Sequence, residues 1–137
     1  MKMDHKQDPA KEIMTNLSGA HEGFQVTGVD LLMAIYCRPD RSAGGIILTD
    51  NQKGEDLYQG KVGLVLKVGP RVTDKNKDLY DWFGGRVPKV GDWVVVRVGD
   101  TYAFNLATGN KVSAKVPCRL VEAKQIRGLI DQPDKVW

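Results

Sequence analysis

The stretch Ser42-Ala43-Gly44-Gly45-Ile46-Ile47-Leu48-Thr49 sets an aliphatic triplet directly after two glycines. The chemistry they suit is non-covalent docking. Two adjacent glycines leave the backbone free to take φ values closed to other residues. The aliphatic triplet Ile46, Ile47 and Leu48 is the part with something to bury. Each of these side chains, fully desolvated in a partner's groove, supplies about 1.5–3 kcal/mol. Ordering the backbone costs about 1–2 kcal/mol per residue, so a single such loop binds weakly. Several loops presented by one assembly turn later contacts into intramolecular ones and raise avidity by about 10²–10⁴. The same triplet also fits an edge strand packed on its own sheet.

Covalent chemistry has less to work with. His5 and His21 stand near the N-terminus with no Cys or carboxylate spacing suited to a metal. Cys37 and Cys118 are too few for a disulfide framework or a zinc site. Cys118 lies in a strand-like context and reads as a buried apolar residue rather than a nucleophile, and Cys37 reads similarly. No Ser-His-Asp, Cys-His or paired-carboxylate arrangement emerges. The expectation is a protein that is not an enzyme and needs no cofactor or metal. A second cluster, Tyr80, Trp82 and Phe83, is followed by Gly84-Gly85. It suits either a contact surface or a hairpin whose aromatics fold back onto the core, and three aromatics in four positions cannot all face one core.

The elements that position these residues are strands. Val29–Tyr36 is an apolar run ended by Arg38-Pro39-Asp40. Gly60–Val68 alternates, with Val62, Leu64, Leu66 and Val68 on one face and Lys61, Gly63, Val65 and Lys67 on the other. Trp93–Val98 follows the turn Lys89-Val90-Gly91-Asp92, and Thr101–Leu106 follows with a turn at 107–111. Cys118–Ala123 is a further strand, and 124–129 is a short turn of helix or a last strand. Short strands with turns between them suggest an all-β domain, a small barrel or a sandwich. Residues 1–28 differ: Ile13, Met14 and Leu17 have helical spacing over one or two turns, and glycines follow. The division is therefore an N-terminal arm, 1–28, outside a β domain, 29–137.

Composition bounds the rest. A chain of 137 residues fits one domain with an appended arm. Its formal charge of +3 is too small for a nucleic-acid footprint. No apolar run is long enough for a membrane span, and Met1–Ala10 is too charged for a secretory signal. The expectation is a cytoplasmic protein with neither nucleic-acid nor membrane partners.

Taken in order, SAGGIILT at 42–49, VGLVLKVG at 62–69, KVGDWVVV at 89–96 and EAKQIRGLID at 122–131 resemble the GroES family of co-chaperonins. The resemblance spans Val29–Asp131, roughly three-quarters of the chain. It implies a small GroES-like β-barrel with a mobile loop and a roof hairpin carrying Tyr80, Trp82 and Phe83. It also implies a homo-oligomeric ring whose loops, Ser42–Thr49, dock on the apical domains of a chaperonin ring to assist folding. Protomers would pair edge to edge through their first and last strands, around Leu31, Met33, Ile35, Cys118 and Leu120. The related barrel of medium-chain alcohol dehydrogenases comes with a zinc-ligand pattern and a Gly-rich dinucleotide-binding unit, and neither is visible in this sequence.

Three departures stand out: a short, Pro-containing approach to the loop, a long roof segment from Pro70 to Pro88, and the arm. They look like the features of a bacteriophage-encoded relative. The alternative they suggest is a structural role, in which the same barrel decorates or helps assemble a viral capsid through its arm and loops.

Overall fold

The computed structural model describes His5, residues 7–37, 61–108 and 115–136. Helix α1 (Pro9–Leu17) leads into β1 (Asp30–Ile35) and β2 (Val62–Val68). Helix α2 (Lys77–Trp82) precedes β3 (Trp93–Val96), β4 (Thr101–Ala107), β5 (Lys115–Glu122) and β6 (Ile126–Ile130). Short 3-10 turns occupy Val98–Asp100, Ala123–Gln125 and Pro133–Lys135. The strands form one antiparallel sheet in the order β4-β5-β1-β2-β3-β6. The fold is all-β with few helices. No helix among the described residues is long and apolar enough to cross a membrane.

The order and the short connections together demand strong curvature. β5 and β6 stand four places apart, about 19 Å across a flat sheet at about 4.8 Å per strand. The chain from Glu122 to Ile126 reaches at most about 14 Å even when extended, and a 3-10 turn shortens it further. β3 and β4 are also four places apart and are joined only through Arg97–Asp100. The sheet therefore curls until its distant strands approach. An ion pair follows from that approach: Arg127 on β6 lies 3.6 Å from Asp100, just ahead of β4.

Both faces of the sheet are covered, which explains why β1 reads as an unbroken apolar run rather than an alternation. Leu32, Ala34, Leu64, Leu66 and Cys118 form one cluster, which Leu17 and Val26 join. Leu31, Met33, Val65, Val94 and Val121 form the other, together with Leu79 and Val87. The alternation in β2 holds for Val62, Leu64 and Leu66 but not for Val68, which packs with the second cluster. The register between β1 and β2 shifts between Leu32 and Met33. An extra residue at such a bulge turns the following side chain to the opposite face.

The segment expected as an arm outside the domain lies against the sheet. Pro9 starts α1, where its fixed φ suits the first turn. Ser18 ends the helix in the left-handed region at φ 49°, its N–H donating to the Met14 carbonyl at 3.2 Å. Ala10, Ile13 and Leu17 fall on one helical face and pack on the first cluster, with Leu17 fully buried. Such a short helix gains its stability from that packing. Phe24 stacks on Phe104 of β4, with centroids 5.6 Å apart and planes 10° from parallel. The periodicity of Ile13 and Leu17 marked the helix, and what it packs on is decided by tertiary structure.

Candidate functional site

The expected docking loop, Ser42–Thr49, lies outside the described residues, as do Arg38-Pro39-Asp40. Its root is described. The Tyr36 N–H donates to the Val62 carbonyl at 2.9 Å, so the connection between β1 and β2 leaves and re-enters the sheet at neighbouring points. Tyr36 is buried, and its hydroxyl lies 2.7 Å from His5 Nε2. Its ring meets Trp93 edge-on, with centroids 5.8 Å apart and planes at 79°. Trp93 opens β3, which pairs with β2 through Trp93 opposite Leu64. Residues distant in sequence thus brace the root. Their sequence signal was slight: Tyr36 closes one apolar run, Trp93 opens another, and nothing links either to His5.

Beside β2, an apolar hollow of about 390 Å³ opens between α1 and the turn before β3. Ala10, Met14, Leu64, Val65, Val90 and Gly91 line it. Met14 and Val90 are large apolar residues of its lining that are exposed. The turn is the VGD segment. The Asp92 carboxylate accepts from the Lys89 N–H at 2.9 Å, and Gly91 takes φ 94°, a value that favours glycine.

The roof differs from the expected hairpin: residues 77–82 form the short helix α2. Asn76 is the reason, because its Oδ1 accepts from the Leu79 N–H at 3.2 Å and caps the first turn. Leu79 is then buried in the second cluster. Phe83 packs against the same cluster, while Tyr80 and Trp82 remain exposed. Lys124 Nζ lies 5.1 Å from the Trp82 ring centroid and 2.7 Å from Asp78, tying the roof to the turn before β6.

The expected subunit interface is corrected by the sheet order. β1 pairs with β2 on one side and β5 on the other, and β5 is held between β1 and β4. Both hydrogen-bonding edges of each strand are used within the chain. Leu31, Met33, Ile35 and Cys118 are buried and Leu120 half-buried, so none belongs to a free edge. The run Val29–Tyr36 is apolar because it is central, buried on both faces. Among the described residues the edge strands are β4 and β6.

One polar feature of the interior was not legible beforehand. Arg119 is 1 % exposed and donates from Nη1 to Thr101 Oγ1 at 3.1 Å, while that hydroxyl donates to the Val98 carbonyl at 2.8 Å. Burial pulls its guanidinium below the ordinary arginine value. A lone Arg in CRLV resembles any outward strand residue, so no sequence signal reveals it. Cys118, fully buried, has its thiol pushed up to about 12 by burial, partly offset by a hydrogen bond with the Leu106 backbone. A thiol held so far above neutral carries almost no thiolate and is a poor nucleophile. Cys37, by contrast, is exposed. Among the described residues no group of three His, Cys, Asp or Glu side chains is arranged to hold a metal ion.

Compared with known proteins, the chain matches no protein-family model and no curated protein sequence.

Proposed function

We propose that this protein is a co-chaperonin-like ring former with a GroES-like β-barrel, which docks on the apical domains of a chaperonin through Ser42–Thr49. The observation that carries the reading is the root geometry. The segment holding SAGGIILT connects two neighbouring strand ends, joined by the Tyr36–Val62 hydrogen bond and braced by Trp93. An aliphatic triplet on such a connection acts from a fixed base. Support also comes from the curvature of the six-stranded sheet and from the positions of the resembling motifs. VGLVLKVG forms β2 and its exit turn, and KVGDWVVV forms the entry turn and β3. Any nucleotide hydrolysis belongs to the chaperonin partner.

The test is ATP turnover by a purified double-ring chaperonin, with and without this protein. Wild type slows or otherwise modulates turnover, and Ile47→Asp loses the effect while keeping the native circular dichroism. No effect of wild type, or an equal effect of Ile47→Asp, removes the proposal.

A further inference from the structure

Strand β4 is an edge: among the described residues it pairs only with β5. A free edge displays unpaired N–H and C=O groups that template further pairing, and natural sheets blunt it with charge, proline, bulges or shortness. β4 has none of these. Its seven residues, Thr-Tyr-Ala-Phe-Asn-Leu-Ala, carry no charge and no proline, and its register with β5 runs without a shift. Tyr102 on it is 69 % exposed. The opposite edge is different, since β6 has five residues and includes Arg127 and Gly128.

The geometry points to a second copy of this chain as the occupant of the β4 edge, with two β4 strands pairing antiparallel about Phe104. The strand is self-complementary in that register. Phe104 faces its own counterpart, Tyr102 faces Leu106 of the second copy, and Ala103 faces Asn105. Tyr102, Phe104 and Leu106 alternate onto one face, where Phe104 and Leu106 already pack on the first cluster and Phe24 stacks on Phe104. Pairing therefore continues an apolar face across the joint, and aromatic–aliphatic cross-strand pairs are among those that stabilise sheets. Ala103 and Asn105 are exposed, uncharged and small enough to oppose each other. No like charges meet anywhere along the two strands. The contact is isologous, so it consumes both edges and closes instead of growing into a fibre. It is independent of chaperonin docking and doubles whatever assembly the other surfaces form.

The experiment is native mass by light scattering on the full chain and two variants. In Ala103→Lys/Asn105→Lys, pairing about Phe104 sets an introduced lysine opposite another at two points, and like charges directly opposite are destabilising. In Ala103→Lys/Asn105→Glu the same register sets each lysine opposite a glutamate. The native mass is expected to halve in the first variant and to stay at the wild-type value in the second. A monomeric wild type overturns the proposal, as does wild-type mass in Ala103→Lys/Asn105→Lys. Halving in both variants overturns it too, because the stated register restores the attraction in the second.

Discussion

Gly69 lies so close to Gly28 that a β-carbon on it would collide with the Gly28 carbonyl. Gly69 donates its N–H to the Asp30 carbonyl at 2.8 Å, and Arg71 donates to the Gly28 carbonyl at 3.0 Å. The two backbones are clamped together at the exit of β2, so neither can retreat cheaply. This contact is why a glycine closes VGLVLKVG.

Gly69→Ala is accordingly expected to destabilise the protein by about 1–3 kcal/mol, as overpacking does in a well-packed site. Gly23→Ala is the control: a β-carbon there meets nothing within 4 Å, and the change should stay within about 0.5 kcal/mol. Urea unfolding of both variants checks the pair.

Leu17 belongs to the core although it lies in the first tenth or so of the chain. Leu17→Ala should cost about 2–5 kcal/mol, the range for truncating a buried leucine. Met14→Ala, on the exposed side of the same helix, should cost far less. Deleting residues 1–28 should destabilise more than Leu17→Ala, since Val26 goes as well. Thermal denaturation of the three variants gives the order.

The Cys118 thiol sets a pH dependence. Its pKa rises in the folded state to about 12 from an ordinary 9.0, because burial disfavours the thiolate. Between those values the unfolded chain has lost the proton that the folded chain keeps. Stability from this group is thus present below pH 9.0 and is lost as pH rises toward 12. Cys118→Ala should flatten that alkaline decline. At neutral pH a thiol reagent should label Cys37 readily and Cys118 only in denaturant, as mass spectrometry would report.

The roof contact is modest. Lys124→Gln removes the charge over Trp82 and the exposed ion pair with Asp78. The expected loss is about 0.5–1 kcal/mol, typical of a cation–π contact at an exposed site. It should shrink in high salt, which screens surface charge. Because Trp82 is exposed, its fluorescence should shift in the same variant.

Much of the strand content was legible in the residues. β2, β3 and β4 follow from alternation or short apolar runs bounded by turn residues, because side-chain direction in a strand repeats every second residue. The roof is a helix rather than a hairpin because the Asn76 cap, upstream of the Gly84-Gly85 turn, starts a helical turn. Val68 changed face because a bulge is a property of a pair of strands, and one strand cannot reveal it.

The chemistry on offer is set along the chain: an aliphatic triplet beside two glycines, few nucleophiles, and short apolar or alternating runs. Those are local properties, set by side-chain type and by the period of the backbone. That β1 is central with its edges spent, that Leu17 is core, that His5 meets Tyr36 and that Arg119 is buried come from the assembled fold. Each depends on which distant segment covers a surface. That is settled by the curl of the sheet and the packing on both its faces, not by the identity of neighbouring residues along the chain.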